Sequence, residues 1–156
     1  MLKVKIVCVG KIKEKFFKDA VYEYVKRLGA YCNTEITEIN ESRIDKPNAA
    51  DVAKALTAEG KNIIAATEGL KILCDVAGKQ TDSDDVAKLL KKAAETKGAI
   101  TFVVGSSFGV SEEVKAAADE RISFGKITLP HQLFRVVLCE QIYRGFTILN
   151  GTPYHK

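Results

Sequence analysis

The residues best suited to chemistry are gathered at the C-terminal end of this chain. Leu129–Lys156 reads LPHQLFRVVLCEQIYRGFTILNGTPYHK and holds both histidines, His131 and His155, with Arg135, Arg144 and two of the three prolines. Tyr154 offers a ring on which an unpaired base can stack, His155 an imidazole, the side chain that titrates nearest neutrality, and Lys156 a cation. Termini usually fray, so on composition alone a solvated end is the simpler reading of Asn150–Lys156. Gly151 and Pro153 exclude a core strand there. Glu140 and Arg144 stand at i, i+4 in the favourable order, which predicts an ion pair. Arg135 and Arg144, nine positions apart, fall on opposite faces of a helix and cannot address one ligand from one unbroken helix. His131 shares the face of Arg135.

Three other segments have the composition of ligand-binding loops. Gly105-Ser106-Ser107-Phe108-Gly109 joins a buried apolar run to a helix start, where glycines admit close backbone approach and free amides favour anions. It is neither GxGxxG nor a P-loop, and a tight structural turn explains it equally well. Asp75-Val76-Ala77-Gly78-Lys79 follows a second apolar run, with Asp75 placed either to bind a ligand or to close a turn. In the third, Gly125 and Lys126 interrupt Ile122–Leu129 before Pro130, leaving backbone that a cofactor can approach.

Alternating and short apolar runs predict the strands that must position these loops at Lys3–Val9, Glu35–Ile39, Lys71–Val76 and Ala99–Val104, with a weaker one at Ile122–Leu129. Helices are predicted between them. Phe16, Ala20, Tyr24 and Leu28 form an i, i+4 stripe, Asn48 caps a helix bearing Val52 and Leu56, and Thr81 with Asp84 reads as a capping box. Ser111 caps Glu112–Ala118, and a last helix runs from His131 to about Arg144. Strands alternating with helices mean an α/β fold with a mostly parallel sheet and helices on both faces. Such sheets bind ligands beyond the carboxyl ends of their strands, which is where all three loops fall.

With 156 residues, 46% hydrophobic and 28% charged, the chain fits one domain, residues 1–156, with a full core. Its start lacks the apolar block of a signal peptide, which predicts a cytoplasmic protein without membrane partners. The net charge of +4 permits a polyanionic partner without requiring one. Cys8, Cys32, Cys74 and Cys139 show no CxxC spacing, and no metal site is expected.

The blocks VKIVCVGKIKEKF, EYVKRL, LPHQLFRVVLCEQIYR and PYHK, in that order, resemble the ribosomal RNA large-subunit methyltransferase H family of SPOUT methyltransferases along the whole length. The resemblance implies a C-terminal trefoil knot, against the general rule that chains are unknotted. It also implies S-adenosyl-L-methionine as cofactor, a homodimer, and methylation at N3 of a pseudouridine in 23S rRNA of the assembled ribosome. Carried over by position, cofactor contacts fall on Cys74, Gly105, Phe124, Gly125, Lys126, Ile127, Thr128 and Leu129. His155, Arg144 and Tyr154 take catalytic roles: imidazole chemistry makes His155 the better base candidate, and Arg144 with Lys156 fits the electrostatic role. His131, Arg135 and Lys156 face the substrate. Ser106 stands where the family commonly has a second glycine, which leaves an alternative: a non-catalytic ribosome- or RNA-binding module of the same fold.

Overall fold

In a computed structural model, which describes residues 1–156, five strands and five helices alternate along the chain. They are β1 (Lys3–Val9), α1 (Lys15–Leu28), β2 (Asn33–Ile39), α2 (Ala49–Ala66), β3 (Leu70–Gln80), α3 (Ser83–Thr96), β4 (Ala99–Val104), α4 (Glu112–Ala117), β5 (Glu120–Ser123) and α5 (His131–Leu149). Every strand pairing is parallel, in the order β2-β1-β4-β3-β5. β4 lies at the centre and all six of its residues are buried, the signature of a strand covered on both faces.

Strand alternation divides the interior into two cores. Ile6 and Cys8 of β1 point into a larger one, closed by Val21 and Leu28 of α1, Val86 and Leu90 of α3, and Leu138, Cys139, Ile142 and Phe146 of α5. Val7 and Val9 point the other way, to Ile63 of α2 and Val114 of α4. Each fully buried Ile, Leu or Phe contributes roughly 1.5–3 kcal/mol, so the larger core, which includes Ile6, Leu28, Ile72, Leu90, Ile100, Phe102, Leu138 and Ile142, holds most of the apolar stabilisation. Burial pushes the Cys8 thiol up to about 11 and the Cys139 thiol up to about 12, which keeps both protonated and inert.

Two predicted caps are present: the Asn48 side chain accepts from Asp51 N, and Ser111 Oγ accepts from Val114 N. The third is shifted by one residue. Asp82 and Asp85 form the capping box of α3, while Thr81 Oγ1 donates to the carbonyl of Lys79. The stripe of α1 is also corrected at its start: Val21 is buried and Phe17 half-buried, whereas Phe16 is 64% exposed. β5 is only four residues long and ends before Gly125, so most of Ile122–Leu129 is loop. β3 runs on to Gln80 across a bulge, its pairing with β5 jumping from Cys74–Ile122 to Lys79–Ile122. α5 continues past Arg144 to Leu149. No helix is long and apolar enough to cross a membrane.

One buried acid is poorly served by this packing. Glu59 of α2 is 3% exposed; its Oε2 accepts from Ser42 N at 2.8 Å and its Oε1 has no partner. Burial, seconded by the Glu41 carboxylate, raises its pKa above the ordinary value of 4.5. The folded state therefore holds this proton more tightly than the unfolded chain, and stability falls as pH rises from about 4.5 through the folded-state value. Glu59→Gln should thus have a Tm advantage over the parent that grows between about pH 4 and pH 7, read by thermal melts across that range. A constant difference would contradict the assignment.

Candidate active site

The sheet register brings the three candidate loops together. Cys74 of β3 lies beside Val104 of β4 and Ile122 of β5, so all three strands reach the same edge of the sheet in one row. Each loop beyond that row presents one exposed apolar side chain: Val76 at 60%, Phe108 at 47% and Ile127 at 80%. Three such groups around one edge form an apolar surface that a ligand or partner can cover.

The loops differ in construction. Gly105–Gly109 closes as a tight turn in which Ser106 and Gly109 exchange backbone hydrogen bonds at 3.2 and 2.9 Å. A Cβ on Gly105 would sit 2.7 Å from the carbonyl oxygen of Gly109, so only glycine allows this closure. No residue other than glycine has positive φ, so Ser106 adopts ordinary backbone and a second glycine there is not required. That removes the structural motive for the non-catalytic alternative. After β3, Asp75 Oδ1 accepts from Ala77 N at 2.9 Å, closing a local turn in the bulge. The third loop is the most open. Gly125 has φ +125° with no heavy atom near its Cβ position, and the amides of Lys126, Ile127, Thr128 and Leu129 donate no backbone hydrogen bond. Phe124 anchors its start by stacking on Phe134 of α5, with ring centroids 5.7 Å apart.

A small polar cavity of about 280 Å³ adjoins the Gly105–Gly109 loop, lined by Glu41, Ser42, Glu59, Leu56, Ser106 and Phe108. A larger one, about 390 Å³, opens elsewhere, between α1 and the β1–β2 edge, and none of the three loops lines it. No group of three or more His, Cys, Asp or Glu side chains is arranged to hold a metal ion.

The C-terminal tail is docked on α5. Glu140 is its hub: Oε1 accepts from Arg144 Nε at 2.9 Å and from the Tyr154 hydroxyl at 3.2 Å. The Arg144 guanidinium also lies over the Tyr154 ring at 4.7 Å, and Tyr143 meets that ring edge-on at 5.0 Å. Gln141 donates to Glu140 Oε2 at 2.8 Å, and Ser83 of α3 donates to Gln141 at 2.6 Å, tying the hub to a second helix. Burial and the Glu140 carboxylate raise the Tyr154 pKa, so the phenol stays a donor. Arg144 Nη1 lies 3.3 Å from His155 Nδ1. A guanidinium only donates, so Nδ1 is the accepting nitrogen and the neutral ring carries its proton on Nε2. His155 can accept a proton in this state only by leaving Arg144.

The structure reassigns Arg135. Its side chain is 4% exposed, where the sequence reading had it facing substrate. Nη1 donates to Glu38 Oε2 at 2.8 Å, and Nη2 donates to the carbonyls of Val9 and Gly10 at 3.1 and 2.7 Å. This arginine joins α5 to the ends of β1 and β2 and presents nothing outward. His131 lies half-buried at the first turn of α5, and Lys156 is exposed. His131 and Arg144 are thirteen residues apart on one helix, about 20 Å at 1.5 Å per residue. The loop Phe124–Leu129 enters one end of α5 and the tail cluster sits toward the other.

A family model described as predicted SPOUT methyltransferase matches residues 2–155. The chain belongs to that family. It is 45% identical, over 99% of its length and 100% of theirs, to proteins named ribosomal RNA large subunit methyltransferase H from Limosilactobacillus reuteri and Lactobacillus gasseri. The protein of that name from Streptococcus pneumoniae is 42% identical over the same shares. Among solved structures, a probable methyltransferase from Bordetella pertussis has a TM-score of 0.58 at 13% identity, covering 91% of this chain and 95% of that one. A probable methylase family protein from Haemophilus influenzae has 0.56 at 14%, covering 98% and 70%. At such identity these two structures speak to the fold alone.

The hub role of Glu140 was only half visible in the sequence. Its i, i+4 spacing announced Arg144, but nothing announced Tyr154. Replacing Arg135 with Leu should cost about 3 kcal/mol, because it strands the Glu38 carboxylate and two carbonyls. Urea unfolding measures this. A substrate-facing arginine would instead leave stability unchanged and weaken only RNA binding.

Proposed function

We propose that this chain is an S-adenosyl-L-methionine-dependent methyltransferase of large-subunit ribosomal RNA. In this reading it acts as a homodimer on N3 of a pseudouridine in 23S rRNA of the assembled ribosome, with a trefoil knot in its C-terminal half. The observation that carries the reading is the match, from end to end, to proteins named ribosomal RNA large subunit methyltransferase H. The loops fit the cofactor: apolar side chains at Val76, Phe108 and Ile127 suit its adenine and aliphatic parts, and the free amides of residues 126–129 suit its polar edges.

When bound, S-adenosyl-L-methionine supplies a methyl group already activated on a sulfonium. The work left to the chain is to hold that group in line with the base and to manage one proton. Cys74, Gly105 and Phe124–Leu129 hold the cofactor. Tyr154 stacks against the base. Arg144 stabilises the negative charge that develops as the N3 proton leaves, and His155 takes that proton at Nδ1 once its ring has swung off Arg144. His131 and Lys156 face RNA. The separation of about 20 Å along α5 keeps a subunit's own tail away from its own cofactor loops, which favours a site completed by the tail of a second copy.

The test is transfer of labelled methyl from S-adenosyl-L-methionine to ribosomes and to naked 23S rRNA. Wild type should label ribosomes in preference to naked RNA. His155→Ala, and separately deletion of Tyr154–Lys156, should fold and bind cofactor yet lose transfer by about 10²-fold or more. Undiminished transfer after the deletion removes the tail from the mechanism.

A further inference from the structure

Residues 11–18 read KIKEKFFK, four lysines against one glutamate. Of the net charge of +4 on the whole chain, this segment alone supplies 4 − 1 = +3. Lys11, Lys13, Lys15 and Lys18 are all exposed, and no acidic residue lies in the first turn of α1. Lys15 pairs with Asp19 at 2.7 Å; Lys11 and Lys13 form no ion pair. The acids facing the segment from neighbouring elements leave Lys11 and Lys13 unpaired: Glu38 of β2 is taken by Arg135, and Glu41, with Oε2 3.5 Å from the Cβ position of Gly10, forms no ion pair with either lysine, while Glu14 lies within the segment itself.

The loop carrying Lys11 and Lys13 is irregular yet firmly tied. Arg135 takes the carbonyls of Val9 and Gly10, Glu38 accepts from Ile12 N at 2.9 Å, and Gln132 Oε1 accepts from both Lys13 N and Glu14 N at 3.0 and 3.1 Å. Three side chains from α5 and β2 thus fix a stretch of backbone whose Ile12 packs, half-buried, against the larger core while Lys11 and Lys13 stay exposed. Gln132 lies in the first turn of α5, directly after the loop Phe124–Leu129, so the lysines flank the proposed cofactor loop. We infer that Lys11 and Lys13, on this braced loop, form a docking surface for RNA phosphates beside the methyl-transfer site. Arg135 and Gln132 are positioning residues for it. The inference rests on the RNA methyltransferase reading for its partner and on charge and geometry for its location.

The experiment compares the double variant Lys11→Ala/Lys13→Ala with Lys91→Ala/Lys97→Ala, which removes the same charge from exposed, unpaired lysines elsewhere. Binding to purified ribosomes is measured as a function of salt, with S-adenosyl-L-methionine binding as the control for an intact cofactor site. The first variant should weaken ribosome binding roughly tenfold or more near 0.1 M salt, and should flatten the log–log salt dependence by about 1.4 to 1.8. The second should follow wild type. Equal weakening by both pairs, or by neither, overturns the inference, as does wild-type binding that salt leaves unchanged or a wild type that fails to bind ribosomes. Wild-type ribosome binding without methyl transfer would sink the proposed reaction and leave the docking surface standing.

Discussion

A single buried guanidinium joins three parts of the chain that lie far apart in sequence. Arg135 reaches from α5 to Glu38 on β2 and to the carbonyls of Val9 and Gly10 at the end of β1. An unpaired charge at that depth would cost several kcal/mol, so the packing of α5 is tolerable only in the register that delivers those acceptors. The Nε proton is left without a partner even so. What the ion pair secures is orientation: it sets the first turns of α5 against the carboxyl edge of the sheet, and so determines where the loop entering α5 and the tail leaving it must lie.

That edge is where a parallel sheet concentrates function. With Val104, Cys74 and Ile122 in one row, three loops emerge side by side although β3 precedes β4 in the chain. They are built differently, and the differences matter. Gly105–Gly109 is closed on itself and rigid, the β3 bulge is pinned by Asp75, and only Phe124–Leu129 leaves its amides free. Rigid walls beside one open strip of backbone suit recognition of a small molecule through its polar edges, with the exposed Val76, Phe108 and Ile127 as apolar surface.

The tail depends on the middle and later turns of the same helix. Glu140 gathers Arg144 and Tyr154, and Arg144 in turn holds His155 by its one free lone pair. The cluster is ordered but self-satisfied: its cation is neutralised, its phenol is donating, and its imidazole is occupied. Any new partner for these side chains has to compete with the contacts already made. Along α5, Arg144 lies about 20 Å from His131, where the loop Phe124–Leu129 joins the helix.

Local rules carried a good part of this into the sequence. The alternation of β1 and the unbroken apolar run of β4 marked strands. Asn48 and Ser111 marked helix starts, and the Glu140–Arg144 spacing marked an ion pair. Each depends on residues a few positions apart, and so could be read without the fold. The same reasoning slipped where two local solutions were nearly equivalent, as with Thr81 against Asp82 for the cap and Phe16 against Phe17 for the buried stripe of α1. Other features were beyond it in principle. That Arg135 is buried, that Gln132 braces a loop 118 residues away, and that Tyr154 meets Glu140 are all decided by which surfaces the sheet brings together. Sequence therefore determined the elements, the family and the chemical inventory of the site. Only tertiary structure decided which of those polar groups face outward, because a side chain's availability depends on partners that local spacing does not encode.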